Sequence, residues 1–188
     1  MVITEEGDCL AWGWGRYGQT LVNENLSNVI SVDGGYSHSL AVDQAGVVYA
    51  WGRNNYSQTT IPEIDAPAVQ VASGYTHSLV LTENGNVIGF GRDNKGQSTV
   101  PDGLSNIKAI AAGREHNLAL TESGGVIAWG SNDYGQCSVP EGLTDVILIS
   151  AGYFHSLALK EDGTVVSWGD STYGQATLPE GLEGVTFI

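Results

Sequence analysis

Gly152-Tyr153-Phe154-His155-Ser156-Leu157-Ala158-Leu159-Lys160-Glu161-Asp162-Gly163-Thr164-Val165-Val166-Ser167-Trp168-Gly169, followed by Tyr173-Gly174-Gln175, decides the fold, because near-copies of it recur every 39 residues. Trp12, Trp51, Phe90, Trp129 and Trp168 share one register, each followed by Gly. Gln19, Gln58, Gln97, Gln136 and Gln175 share a second, and His38, His77, His116 and His155 a third. Self-similarity at this period means a repeat architecture, in which small units bury their apolar faces against one another.

Within a unit the apolar period is two. His155 to Lys160 and Thr164 to Trp168 alternate, and Asp145 to Ser150 is a short β-rich run. Glu161-Asp162-Gly163 supplies a hairpin turn whose Gly can take a positive φ. After each Trp-Gly comes a polar loop, then Gly-Gln-Ala-Thr-Leu is expected as a fourth, edge-like strand, ended by Pro62, Pro101, Pro140 or Pro179. Four short strands per period with no helical pattern give an all-β propeller of four-stranded blades. The whole chain, 1–188, reads as one propeller domain with units at 26–64, 65–103, 104–142 and 143–182, and a fifth made of 1–25 with 183–188. Five periods would need 195 residues, seven more than the chain has. The expectation is a five-bladed ring closed by Val185–Ile188 pairing with the N-terminal strand, hence a monomer, with a homo-oligomer as the other outcome.

Composition narrows the partners. The 21 acidic residues outweigh the 7 basic ones, a net charge of −14, which repels phosphate backbones and disfavours nucleic acid. Such a field suits solubility or a basic protein partner. No apolar run reaches the roughly 20 residues of a membrane span. Met1 to Glu6 has neither a basic nor an apolar leader region, so a cytoplasmic location is expected, although a trimmed secreted protein would read the same. Cys9 and Cys137 occupy unrelated registers, which argues against a disulfide or a paired metal site.

The units resemble the repeats of the regulator of chromosome condensation family, on Ala151 to Leu159, Gly163, Val165-Val166, Trp168-Gly169 and Tyr173-Gly174-Gln175. The short period and the Gln-x-x-x-Pro spacer (Gln136 to Pro140, Gln175 to Pro179) are most similar to the propeller-type β-lactamase inhibitory proteins. The resemblance implies four-stranded blades that present edge loops to a protein, in rings of seven blades where this chain supplies five units. It also implies contact residues directly after the Gly of the Gly-Tyr-Phe-His motif. The matching positions are Tyr36 and Ser37, Tyr75 and Thr76, Arg114 and Glu115, Tyr153 and Phe154.

Symmetry spreads the four histidines over four units, whereas a zinc ion needs three or four ligands within about 2.3 Å. They are expected to be structural, each imidazole bonded to backbone in its own blade. The Trp-Gly register, Trp12, Trp51, Phe90, Trp129 and Trp168, is expected to pack between blades. No metal or other cofactor and no catalytic set is expected, because no Ser/His/Asp, Cys/His or paired-carboxylate group breaks the repeat at one place. The residues that do break it, in the loops after Trp-Gly, include Trp14, Arg16, Arg53 and Arg92, types that dominate interface hot spots. Protein-binding candidates are therefore Trp14, Arg16, Tyr36, Arg53, Tyr75, Arg92, Arg114, Tyr153 and Phe154. The leading function is a non-catalytic protein-binding scaffold or inhibitor-like module of unknown partner. The alternatives are an exchange-type regulator of a small GTPase, and an engineered or recombined repeat without a native partner.

Overall fold

The computed structural model describes residues 1–188 as fourteen β-strands and no helix. Four antiparallel three-stranded sheets follow one another along the chain. They are β3 (Val29–Gly34), β4 (His38–Asp43) and β5 (Val48–Gly52), then β6 (Ala68–Ser73), β7 (His77–Thr82) and β8 (Val87–Gly91). Next come β9 (Ile107–Ala112), β10 (His116–Thr121) and β11 (Val126–Gly130), then β12 (Val146–Ala151), β13 (His155–Lys160) and β14 (Val165–Gly169). In each, the middle strand lies second in sequence. A two-stranded sheet, β1 (Val2–Ile3) with β2 (Cys9–Leu10), precedes them. The sheets stack as the blades of a β-propeller.

Stacking on both sides explains why the middle strands are apolar on both faces. Leu40, Val42 and Val48 point toward the next blade and meet its Val71, Val80 and Phe90. Leu79 and Leu81 meet Ile107, Ile110, Ala119 and Trp129, while Leu118 and Leu120 meet Val146, Ala158 and Trp168. Large side chains leave one blade where small ones and a single aromatic receive them on the next, so the interfaces interdigitate. Each first strand carries a bulge, which gives it one extra residue turned outward: Ile30, Val69, Lys108 and Ile147. The first strands surround a central channel of about 450 Å³. Side chains stitch them together there: Ser73 N donates to Asp33 Oδ2 at 2.6 Å, and Gln70 bonds both main-chain groups of Ile110.

Three sequence expectations change. The Gly-Gln segment is not a fourth strand. It folds into i→i+3 turns such as Thr177 N to Gly174 O, and the carbonyls of Gln19, Gln58, Gln97 and Gln136 are taken by the next blade. Val185–Ile188 lies in no strand and forms no ladder with β1, although Gly184 and Val185 stack beside the Gly163 hairpin as Asn106 and Ile107 do beside Gly85. Trp12 is 69% exposed, because it receives no leucines from a preceding blade; Trp129 and Trp168 do, and each is 7% exposed.

One local strain is visible against the repeat. Gly18, Gly96, Gly135 and Gly174 hold φ of 81°, 74°, 79° and 82°, but Ser57 occupies that register at φ 64°. A left-handed L-residue costs about 1–2 kcal/mol. Ser57→Gly is therefore expected to raise unfolding stability by about 1 kcal/mol, read as a higher urea midpoint at unchanged slope. An unchanged or lower midpoint would contradict this account of the turn.

Candidate functional site

The Gln register is the hub of each blade junction. Every Gln side chain turns back on its own loop, its Oε1 accepting from the main-chain N–H two residues earlier, as Tyr56 N to Gln58 at 2.9 Å and Tyr134 N to Gln136 at 2.9 Å. Its main-chain carbonyl faces the following blade. Gln58 O accepts from Ser78 Oγ at 2.7 Å, Gln97 O from Asn117 Nδ2 at 2.7 Å and Gln136 O from Ser156 Oγ at 2.9 Å. Trp51 and Trp168 Nε1 donate to the carbonyls of Gln19 and Gln136 in the same way.

The histidines complete this relay. His38 Nε2 lies 3.0 Å from Ser78 Oγ, His77 Nε2 2.7 Å from Asn117 Oδ1, and His116 Nε2 3.1 Å from Ser156 Oγ. Each serine hydroxyl already donates to a Gln carbonyl, and the Asn oxygen only accepts, so Nε2 carries the proton and donates. The buried Nδ1 atoms of these three have no partner. The expectation of a backbone bond within the same blade is thus corrected: the imidazole reaches the next blade's side chain. Gly35, Gly74, Gly113 and Gly152 are required beside them, since a Cβ there would overlap the His ring. His155 is half-buried and meets no such partner. No group of three or more His, Cys, Asp or Glu side chains converges anywhere. Cys9 and Cys137 are free; Cys9 packs in the first blade junction, and burial pushes the Cys137 thiol up to about 11.

This stacking gathers both loop sets at one mouth of the channel. The Gly-Tyr loops bond to one another through main chain, Tyr75 N to Arg114 O at 3.1 Å and Arg114 N to Tyr153 O at 3.3 Å. Around the bowl they enclose, of about 350 Å³, the rings form a nearly continuous rim. Trp14 lies 6.1 Å from Tyr36, Tyr36 stacks on Tyr75 at 4.2 Å, and Tyr75 lies 6.2 Å edge-on to Tyr153. Phe154 joins Tyr153 at 4.6 Å and Tyr134 at 4.5 Å. The Arg114 guanidinium sits among Tyr75, Tyr153 and Phe154, 4.8–5.3 Å from their centroids. Arg53 stacks over Tyr17 at 4.9 Å, Arg92 over Tyr56 at 5.1 Å and Arg16 over Tyr17 at 5.8 Å. All nine candidates thus make ring or guanidinium contacts within the two loop sets around the mouth, and Arg92 also reaches Glu115 of the Gly-Arg loop at 3.8 Å. Sequence reasoning left out Tyr17, Tyr56 and Tyr134, which receive these arginines and the Phe154 ring. Their signal was a Tyr two residues before four of the five Gln, Lys95 standing there in the third.

All four arginines of this acidic chain therefore lie on aromatic rings at one mouth. Only Arg92 has a carboxylate partner, and Arg114 Nε is buried without an acceptor. A guanidinium over a ring keeps its in-plane N–H groups available to a ligand.

Comparison with known proteins agrees with the geometry. Residues 29–58, 68–97, 107–136 and 146–175 each match the regulator of chromosome condensation repeat, together more than half of the chain. The chain belongs to this repeat family. No curated protein matches its sequence. Among solved structures, Prp20p of Saccharomyces cerevisiae, described by its binding to Gsp1p and histones, superposes with a TM-score of 0.75 at 25% identity over 90% of this chain and 54% of that one. The ectodomain of the receptor kinase CR4 of Physcomitrella patens gives 0.63 at 29% identity, covering 74% of this chain and 40% of that one. Human WBSCR16, at 23% identity and a TM-score of 0.68, covering 82% of this chain and 52% of that one, shares the fold. The family member spans about half the length of these solved chains or less of it in the parts that match.

The relay makes stability depend on pH. Burial holds His38, His77 and His116 down to about 4, below the ordinary 6.5. Between those values the unfolded chain binds protons that the folded chain refuses, so stability falls as pH drops from 6.5 toward 4. Each imidazole contributes up to about 1.4 kcal/mol per pH unit. Asp33, whose carboxyl burial pushes up, acts in the opposite sense in the acid range. Urea midpoints at pH 5 are expected to lie below those at pH 7; equal midpoints would contradict neutral buried imidazoles.

Proposed function

We propose that this chain is a non-catalytic protein-binding platform whose contact surface is the ring-and-guanidinium rim of the bowl. The observation that carries the reading is the collection of every arginine onto exposed aromatic rings at one mouth of the channel. Tyr, Trp and Arg dominate binding hot spots because they cover large apolar area yet retain polar handles. The loops bearing them are tied to rigid blades, so little ordering entropy is lost on docking. Arg16, Arg53 and Arg114 lack carboxylate partners of their own, which favours a partner loop that offers carboxylate or carbonyl acceptors between apolar side chains. Binding of Gsp1p and histones by Prp20p supports a protein partner in general; the identity of this chain's partner is a separate matter.

The test uses paired baits from the same source cells, the intact chain and an Arg114→Ala, Tyr153→Ala variant. A partner captured by the first is expected to bind the second at least tenfold more weakly, with the unfolding midpoint nearly kept. Equal affinity for both baits would remove the rim from the contact surface.

A further inference from the structure

One register departs from the repeat in a way that changes the chemistry of the bowl. Tyr36, Tyr75 and Tyr153 follow the loop glycine in three units, and Arg114 holds that place in the fourth. Arg114 has a complete unit on either side, so its surroundings are internal to the stack: Tyr75 of the preceding unit, Tyr153 and Phe154 of the following one. Rings wall it in, but nothing in the chain accepts from it. Its Nε is shut off from solvent without an acceptor, and it belongs to none of the three ion pairs. Glu115, next in sequence, turns to Arg92 at 3.8 Å. Arg53 differs, since its Nε donates to Asn55 Oδ1. A buried donor left unpaired is unfavourable, and a ligand that brings an acceptor relieves it.

The surroundings favour an anion. Gly34 and Ser73 line both the bowl and the channel beneath it, and the channel wall holds a single carboxylate, Asp33. Its oxygens already accept from the Gly34 and Ser73 N–H groups. A cation in the bowl would meet the Arg114 charge and find no unengaged carboxylate behind it. Charge is also sorted along the stack. The mouth loops carry five of the seven cationic side chains, the four arginines and Lys95, but only four of the 21 carboxylates, Asp93, Glu115, Asp133 and Asp170. Lys108, Lys160 and the other carboxylates except Asp33 lie toward the opposite end, on or beside the hairpin turns and the linkers into the first strands. An acidic partner is therefore repelled by the whole molecule except its mouth, which orients the approach.

We propose that Arg114 makes the bowl selective for a protein segment that carries a carboxylate beside a large apolar side chain, the rings taking the apolar group and the guanidinium the carboxylate. This deepens the platform reading and rests on it. The bowl, of about 350 Å³, lies at the small end of ligand pockets, roughly 300–1,000 Å³, and so admits a pair of side chains from a loop. A guanidinium can hold a carboxylate through two parallel N–H···O bonds, where Tyr at the same register would offer one hydroxyl. Tyr36, Tyr75 and Tyr153 are the shared apolar walls; Arg114 sets the charge that they accept.

The experiment is an NMR titration of the isotope-labelled chain with three blocked dipeptides, acetyl-Phe-Glu-amide, acetyl-Phe-Gln-amide and acetyl-Phe-Lys-amide. Binding is followed at the Arg114 Nε–H and at the main-chain amides of Gly113 and Gly152. The Glu peptide is expected to bind roughly tenfold more tightly than the Gln peptide, with the Lys peptide weakest. The Arg114 Nε–H signal should move only with the first. Arg114→Tyr, which installs the residue of the other three units, is expected to bind all three peptides alike. Equal binding of the three by the intact chain would overturn the proposal, as would a preference for the Lys peptide, no binding of any, or an unchanged preference in Arg114→Tyr. A captured protein partner separates this proposal from the platform reading. Weaker capture by Arg114→Tyr supports the carboxylate contact. Undiminished capture by Arg114→Tyr, with loss in the Arg114→Ala, Tyr153→Ala variant, would overturn it and keep the platform.

Discussion

A proton donated sideways from one blade to the next organises this molecule. The imidazole N–H of His38 engages Ser78, whose hydroxyl engages the carbonyl of Gln58, and the same chain of bonds is repeated through His77, Asn117 and Gln97, and through His116, Ser156 and Gln136. All of it is buried, so each missing member would strand polar atoms at a cost of about 1–3 kcal/mol. That penalty fixes the register between blades more sharply than leucine packing could, because apolar contacts tolerate sliding and hydrogen bonds do not. A blade of three short strands is unstable alone; here each is completed by its neighbour.

The rim follows from the same constraint. His38, His77 and His116 open their middle strands directly after the Gly-Tyr loops, and Gln58, Gln97 and Gln136 follow directly on the loops that end in Tyr or Lys. Holding His against the next blade's Ser or Asn, and that residue against Gln, brings both loops of adjacent units to the same mouth. Arg114 then lies among Tyr75 of the preceding unit and Tyr153 and Phe154 of the following one. The buried register residues carry the scaffold, while the mouth is covered by two repeated tyrosine registers together with residues that depart from the repeat, such as Trp14, Arg114 and Phe154.

The repeat made the propeller legible, because a 39-residue period with strand-like alternation has few other solutions. The inward role of Phe90, Trp129 and Trp168 and the outward loops were legible for the same reason. The junction chemistry was not. Ser78, Asn117 and Ser156 look interchangeable with any small polar residue until the stacking places them between a His and a carbonyl. The Gly-Gln stretch read as a strand because its composition is strand-like, whereas its Gln side chain curls back on its own loop and its carbonyl serves the next blade. Trp12 shares the register of its buried counterparts, and sequence identity at a register carries no information about whether a neighbour is present. The convergence of the arginines depended on which loops share a mouth, a property of the stacking and not of any one unit.

The most direct measurement is native-state amide hydrogen exchange, resolved strand by strand. If the relay couples the blades, the amides of β7 and β10, covered on both faces, should exchange together and only through global unfolding, while β1 and β2 exchange long before them. Separate exchange of β7 and β10 at unrelated free energies, or protection of β1 and β2 equal to theirs, would contradict a structure held together by its junctions.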